Sequence, residues 1–467
     1  MHVVVEKIKS CRQALKEWSE PSQGGVRKKV ENKMKEVESL LLTNDEGGCN
    51  TIAINGLKAE INELLLQDEM HWRQRSRAVW LESGDKNTKF FHQRASQWKK
   101  KNTITGLEDD LGVFQEDKME IGCIMEDYFS SIFNTANPPN IDATTSTLEH
   151  VVSPEDNQTL LGAFIAEEVQ KAAFQMHPSK VPGPDGMSCF FFQKYWHVIG
   201  MNVTQAILLV LNSGHMLKKI NYTHIVLIPK GKNPRKVSDF RPISLCNVLY
   251  KLLSKVLVNR FQTVLPKIIS DTQSAFLPGR LITDNAAVAF ELLHSMKMKR
   301  TGRTGQLAMK LDMSKAYDRV EWGFLEATML KMGFAPRWVS LIMECVSTPT
   351  YSVMINGTPQ GYIKPSRGLR QGDPLSPYLF LICAEGLTSL LRRAERQGLI
   401  HGIAANRYGP KISHLLFADN SLLLIIATTE ECRQVLSILE TYEQAFGQRI
   451  NREKTSLFFD KDTTTEV

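Results

Sequence analysis

The sequence predicts an α+β fold, with a hairpin and a further strand that each carry an acid at one end, following a helical N-terminal extension. Three observations carry this. Leu415-Leu416 and residues 422–426 are apolar runs flanking Phe417-Ala418-Asp419-Asn420, the pattern of a β-hairpin with an acid at its tip. A second apolar strand, Ala308-Met309-Lys310-Leu311, ends in Asp312, 107 residues upstream of Asp419. The first 70 residues instead repeat apolar side chains at helical spacing.

The totals are those of a globular protein. With 467 residues, 42% hydrophobic and 23% charged, the chain can form about three domains or subdomains around a large core. The net charge of +7 is unevenly placed. Residues 71–101 hold nine Lys/Arg against Glu82 and Asp85, so this stretch alone is +7 and the remainder is neutral. Eight scattered cysteines without a Cys-x-x-Cys pair argue against a disulfide framework or zinc knuckle and for a reducing intracellular compartment. The N-terminus lacks a signal-peptide core and no 18-residue apolar span occurs, so a soluble protein away from membranes is expected.

Residues 1–70 read as two or three charged helices. Met34, Val37, Leu40 and Leu41 share one face of 31–42; Gly47-Gly48 interrupts, and Ile54, Leu57, Ile61, Leu64 and Leu65 line 52–66. A helical hairpin or interdomain spacer fits this spacing. From residue 71 cations interleave with aromatics, as in Trp72-Arg73-Gln74-Arg75 and Lys89-Phe90-Phe91. Such a run is either a solvated face or a strip that holds phosphates with cations and bases with rings. The Pro/Thr-rich stretch 134–153 reads as a surface loop.

Further on, residues 179–186 make a rigid Pro/Gly turn before an aromatic helix at 190–196. A buried strand at 223–230 ends in Lys230, a polar loop leads to Asp239-Phe240-Arg241, and a helix covers 248–265. Between the two acidic strands, residues 367–377 form a glycine-hinged loop that delivers Pro377 to the start of an apolar helix at 378–392. Thr428 and Glu431 suggest a capping box. The helix it opens is expected to bury Cys432, Val435, Leu436, Leu439, Tyr442 and Phe446 and to end at Gly447.

Eight ordered blocks carry a family resemblance. They are the run from Trp80-Leu81-Glu82-Ser83-Gly84-Asp85 to His92, Pro182-Gly183-Pro184-Asp185-Gly186, Asp239-Phe240-Arg241-Pro242-Ile243-Ser244-Leu245, and Gln273-Ser274-Ala275-Phe276 through Arg280. The palm set follows: Leu311-Asp312 through Tyr317-Asp318, Arg370-Gln371-Gly372-Asp373 through Pro377, Phe417-Ala418-Asp419-Asn420, and Gly447-Gln448 through Lys454. From about residue 72 to 459 the chain resembles the reverse-transcriptase region of a LINE-type, non-LTR retrotransposon, most closely the plant type. The resemblance implies a right-hand polymerase with an antiparallel palm sheet packed on helices. A helical spacer (1–70) and a basic N-terminal extension (71–150) would precede fingers with part of the palm (151–305) and the palm with the start of a thumb connection (306–467). It implies RNA-directed DNA synthesis with two Mg²⁺ ions, dNTPs, an RNA template and a DNA primer. Measured against an intact element, an upstream endonuclease and most of the thumb are expected to be missing. A group II intron maturase shares the palm, but would need a splicing domain after Lys454.

Site residues follow from the match. Asp312 and Asp419 are the expected catalytic metal ligands, since a palm holds two Mg²⁺ between strands that end in carboxylates. Asn420 stands where the family has a second aspartate, keeping one acceptor oxygen but losing a unit charge beside the ions. Tyr317, five residues after Asp312, resembles the ring that excludes a 2′-hydroxyl. Gln371 and Gly372 would line the nucleotide pocket, and Lys230 and Arg241 would meet the triphosphate or else be surface cations. Lys454 resembles the lysine that protonates departing pyrophosphate. Asp318 is expected to order the helix after it, as an N-cap or through an ion pair. Arg73, Arg75, Arg77, Lys86 and Lys89 are the nucleic-acid contacts. With Asn420 in place, weak or absent catalysis is expected, and the alternative is a non-catalytic nucleic-acid-binding remnant of the same fold.

Overall fold

Helical spacing at the N-terminus builds α1 (His2–Gln23), α2 (Val26–Asn44) and α3 (Thr51–Ser76). The structure, a computed structural model, describes residues 1–23, 26–44, 51–76, 88–298, 305–406 and 408–463, so Gly47-Gly48 lies outside it. α2 and α3 pack through Val30, Val37, Ile54 and Ile61, the hairpin read from their spacing, while Met34 and Leu41 stay exposed. α1 goes elsewhere. Its Val4 enters the main core, Arg12 donates to the Pro184 carbonyl, and Glu6 pairs with Lys219.

α4 (Thr88–Asn102) packs on α3, and a small hairpin of β1 (Leu107–Glu108) and β2 (Phe114–Gln115) follows. Asp117 accepts from the Met119 and Glu120 amides and so starts α5 (Lys118–Phe133). After α6 (Ile141–Thr145), Ser153 and Asp156 close a capping box on α7 (Pro154–Leu161), with Pro154 in the first turn. α8 (Ala166–Gln175), α9 (Cys189–Lys194), α10 (Trp196–Ser213) and the single turn α11 (Lys218–Asn221) lead into β3 (Tyr222–Pro229) and β4 (Phe240–Leu245). α12 (Val248–Ile268) is apolar on nearly every side and is the buried centre of the molecule. Next come α13 (Ile282–Met298), β5 (Gln306–Asp312), α14 (Trp322–Met332), α15 (Pro336–Ser347), β6 (Thr350–Ile355) and β7 (Thr358–Ile363). The described chain closes with α16 (Ser376–Arg396), β8 (His414–Phe417), β9 (Asn420–Ile426), α17 (Thr429–Phe446) and β10 (Ser456–Phe459).

The strands form two larger sheets. One, in the order β10-β5-β9-β8, is antiparallel throughout, as the family resemblance implies for its acidic strands. The other, β4-β3-β6-β7, is mixed, because β3 and β6 run parallel. Its core joins Leu227, Phe240, Tyr351 and Val353 to Phe129 and Phe133 of α5, so it draws on stretches far apart in sequence.

Two local expectations are corrected. The stretch 134–153 is a surface loop only in part: Asn134, Asn137 and Pro139 are exposed, but α6 interrupts it and Thr144 and Thr145 are fully buried where α6 meets α14, α16 and α17. Thr145 and Thr147 satisfy their hydroxyls locally, on the Ile141 carbonyl at 3.2 Å and the Thr144 carbonyl at 2.7 Å, whereas the Thr144 hydroxyl is buried without a partner among the described residues. Leu436 of α17 is 54% exposed rather than buried. Thr428 does accept from the Glu431 amide, but the Glu431 carboxylate accepts from the His401 and Ile426 amides, so the helix start is tied to its neighbours instead of closing on itself.

Arg260 on α12 shows how this core is specified. Its guanidinium lies 3.7 Å from the centre of the Phe164 ring and donates to both Glu168 oxygens at 2.7 and 2.8 Å. It also donates to the Leu160, Gly162 and Ala163 carbonyls at 2.9, 2.5 and 2.7 Å. Truncating it would strand one carboxylate and three carbonyls. Arg260→Met should cost about 3 kcal/mol or more in urea denaturation, and Arg260→Lys should restore little, because an ammonium cannot span the fork. A loss under about 1 kcal/mol would mean that water replaces the guanidinium freely.

Candidate active site

The acid pair is assembled by strand register. β5 and β9 pair with Asp312 opposite Asn420, and β8 and β9 close with Phe417 opposite Asn420. Only Ala418 and Asp419 remain for the turn, and Ala418 takes φ +52°, a conformation that residues with a Cβ avoid. Asp419 therefore stands at the sheet end beside Asp312. Burial holds the Asp419 carboxyl above the ordinary range, and the Asp312 charge pushes it the same way. Two carboxylates held together against their own repulsion suit a hard divalent cation that fills its shell with water and phosphate oxygens. Among the described residues no third His, Cys, Asp or Glu joins them, so any remaining ligands would be water or substrate. Asn420 is exposed and does not line the cavity described next, although it faces Asp312 across the strands.

Asp312 and Asp419 open onto a cavity of about 650 Å³. Lys230, Arg241 and Lys454 line it together with Tyr317, Gln371 and Gly372, so the structure brings these sequence-predicted residues into one space. Lys454 Nζ is 3.8 Å from Asp312 Oδ2. Lys230 donates to the Ser238 carbonyl at 2.9 Å. Its ammonium titrates below the ordinary range, through burial first and then through Lys315, Lys454 and Arg241 nearby. Cations gathered around one space in this way suit a polyanion. Lys315, with φ +56° and a lowered pKa from burial, belongs to this group and was missed. Its spacing, three residues after Asp312, was the available clue. Tyr317 stacks on Phe380 with centroids 4.9 Å apart and planes at 18°, presenting a fixed ring to the cavity.

The loop between the acidic strands is positioned by a buried ion pair that sequence reasoning also missed. Arg370 and Asp373 are 2.9 Å apart and almost wholly buried. Tyr250 donates to Asp373 at 2.6 Å, its ring lies 3.9 Å from the Arg370 guanidinium, and Arg370 also reaches Asn221 and, at 3.0 Å, the Cys345 carbonyl. This anchors Gln371, whose carbonyl accepts from the Ser244 amide at 2.8 Å. Gly372 sits at φ +102°, and a Cβ there would lie 3.2 Å from the Ser244 carbonyl oxygen, so only glycine fits.

Asp318 needs correction. It caps no helix, because α14 begins at Trp322 after Glu321. Instead it is buried behind the cavity wall, accepts from Gln371 Nε2 at 3.3 Å, and leaves Oδ2 without a partner among the described residues. Of the basic extension, Arg73 and Arg75 lie in the last turn of α3, Arg75 being 5.8 Å from the Trp72 ring, and Lys89 is exposed at the start of α4. None of these three lines the acid cavity. Arg77 and Lys86 lie outside the described residues. Among the described residues no helix is long and apolar enough to cross a membrane.

Paired strand-end carboxylates facing a cationic pocket suit a metal-bound polyanion. Residues 228–466 match the family described as "Reverse transcriptase (RNA-dependent DNA polymerase)", and the chain belongs to that family. It is 28% identical over 389 residues to "Transposon TX1 uncharacterized 149 kDa protein" of Xenopus laevis, covering 82% of this chain and 29% of that protein. It is 28% identical over 265 residues to "Retrovirus-related Pol polyprotein from type-1 retrotransposable element R2" of Nasonia vitripennis, covering 57% and 24%. A 68-residue stretch is 60% identical to an uncharacterized mitochondrial protein of Arabidopsis thaliana, covering 15% of this chain and 56% of that one. These relatives place the chain with the reverse-transcriptase domains of non-LTR retrotransposons. It spans between about a quarter and just over half of their lengths.

Burial raises the Asp318 carboxyl from its ordinary 3.8 to about 6, against the nearby Lys315 charge. A carboxyl raised on folding favours the folded state below its unfolded value, and that contribution is lost as pH rises through about 6. Asp318→Asn should therefore be more stable than wild type at pH 8, by up to about 3 kcal/mol, with the gap closing below about pH 4. Paired denaturation curves across this range check it. A variant less stable than wild type at pH 8 would show that the carboxylate is well solvated or paired in place.

Proposed function

We propose that this chain is the polymerising core of a retrotransposon reverse transcriptase, extending a DNA primer on an RNA template with dNTPs. The observation that carries the reading is Asp312 beside Asp419 in a cavity whose other walls present Lys230, Arg241, Gln371 and Tyr317. In this reading residues 151–305 are fingers with part of the palm, and 306–467 are palm leading towards a thumb. The helical 1–70 and the basic 71–150 lie ahead of them. Asp312 and Asp419 would hold magnesium, which supplies activation of the primer hydroxyl and charge neutralisation on the transferring phosphoryl group. Lys230 and Arg241 bind and orient the triphosphate, and Gly372 lets the incoming base and sugar approach the backbone. Tyr317 fills the space a 2′-hydroxyl would need. Lys454, close to Asp312, supplies a proton to departing pyrophosphate. The cations of α3 and α4, Arg73, Arg75 and Lys89 among them, hold nucleic acid through phosphates, and binding should weaken with salt accordingly.

One observation favours the second reading, a nucleic-acid-binding protein of this fold with little catalysis. Asn420, the cross-strand partner of Asp312, brings no charge where the family has an aspartate. Directly opposed side chains in such a pair have Cβ atoms about 5 Å apart, so at an effective dielectric near 20 a restored carboxylate would add up to about 7 kcal/mol to the binding of a divalent cation at that distance, and much less with solvent screening.

Asn420→Asp should leave the metal-free melting temperature nearly unchanged and tighten Mg²⁺ binding in calorimetry. It should also raise primer extension on an RNA template. Unchanged Mg²⁺ affinity would remove position 420 from the metal set. If neither wild type nor this variant extends a primer while both bind it, the non-catalytic reading stands. In whichever form polymerises, Tyr317→Val should raise ribonucleotide use relative to deoxynucleotide by about tenfold or more, since the discrimination is steric. An unchanged ratio removes the ring from that role.

A further inference from the structure

We infer that Gln273 is a positioning residue for Asp419, its side-chain carbonyl acting as a strut that holds the strained turn carrying the metal-binding acid. The segment around it lies along the free edge of the acidic sheet. Leu416 of β8 donates to the Thr272 carbonyl at 2.9 Å and accepts from the Ser274 amide at 3.2 Å, a parallel bridge centred on Gln273 and Leu416. Asn285 clamps the same place, donating to the Thr272 and Leu416 carbonyls at 2.8 Å each. From there the Gln273 side chain, fully buried, reaches past the end of β8. Its Oε1 accepts from the Ala418 amide at 3.2 Å and from the Ala275 amide at 3.0 Å. Both neighbours are N–H donors, so only the carbonyl end of the amide can face them.

Ala418 is where the strain sits. It takes φ +52°, it immediately precedes Asp419, and it is buried. A non-glycine residue stays in that region only when its surroundings over-determine it. Without the Gln273 acceptor the Ala418 amide would lose its bond inside the protein, and relaxing the turn would swing Asp419 away from Asp312. Gln273 Nε2 has no partner among the described residues, so the glutamine is not kept there for a closed hydrogen-bond network of its own. Its oxygen is the part with a task. Outer groups that orient metal-binding side chains commonly govern metal affinity without touching the ion.

The strut rests on this geometry alone, and only its catalytic consequence rests on the polymerase reading. The test uses the full chain with Gln273→Met, Ala418→Gly and the double variant, followed by thermal unfolding and by Mn²⁺ titration as the metal probe. Glycine takes a positive φ without strain, so the drop in melting temperature caused by Gln273→Met should at least halve in the Ala418→Gly background. Gln273→Met should also weaken Mn²⁺ binding about tenfold, whereas Gln273→Glu, which keeps the acceptor, should stay within about threefold. Strictly additive melting shifts, or a glutamate variant as weak as the methionine one, overturn the strut. Hydrogen exchange on the unmutated chain decides the matter even if the variants fold poorly. The Ala418 amide should be as protected as those of β9, and exchange at an open-loop rate overturns the inference. A wild-type chain whose Mn²⁺ affinity is untouched by Asp312→Asn would sink the polymerase reading while the unfolding cycle still judged Gln273.

Discussion

Taking an arginine and an aspartate out of water costs several kcal/mol for each charge, and the Arg370–Asp373 pair accepts that cost where α11, α12 and α15 meet the loop that carries Gln371 and Gly372 into the cavity. Arg370 reaches Asn221 at the end of α11 and the Cys345 carbonyl in α15, while Asp373 takes the Tyr250 hydroxyl of α12 and the Leu375 amide ahead of α16. Loss of either charge would leave the other buried and unpaired, so the loop has one arrangement available. That arrangement presses Gly372 against Ser244 and gives the Gln371 carbonyl to the Ser244 amide, joining the pocket wall to β4. Such a pair is worth little as net stability. Its directional contacts hold the loop to α11, α12 and α15.

Around this rigid corner the molecule accumulates local discomfort. Asp419 and Asp318 are held above the ordinary carboxyl range, Lys230 and Lys315 below the ordinary ammonium range, each chiefly by burial. Lys315 and Ala418 add left-handed backbone without being glycine. Costs of this kind collect where a site is built for a ligand that would relieve them. Opposite charges facing one space, with carboxylates on the sheet end and cations on the opposing wall, would each be relieved by a metal-bound triphosphate.

What could be seen in the sequence was what local chemistry settles. Apolar runs around a tight turn were enough to read strands ending at Asp312 and Asp419, the family resemblance set those strand ends together, and helical spacing was enough for α2 and α3. The corrections all come from partners distant in the chain. Asp318 looked like a helix cap because a helix follows it, whereas its partner is Gln371, 53 residues away. Arg370 stood in the sequence only as part of a glycine-hinged loop, although its contacts lie on α11, α12 and α15. Thr144 and Thr145 looked solvent-bound, since nothing local reveals that α14, α16 and α17 close over them. The parallel pairing of β3 with β6 was equally invisible, because no short-range signal specifies which distant strand a buried strand will choose.

The strand pairings also set the order in which this chain can become itself during synthesis. Tyr222 of β3 meets Thr350 of β6, and Asp312 of β5 meets Asn420 of β9, so both sheets wait for segments translated more than a hundred residues later. Folds dominated by such separations close slowly and hold apolar strand edges open in the meantime. A ribosome that has reached the end of α16 has made β3 to β7 but only one of the two carboxylates that share the cavity. Any stop codon or frameshift before residue 419 would thus yield a product with Asp312 on an unpaired strand and no Asp419 beside it.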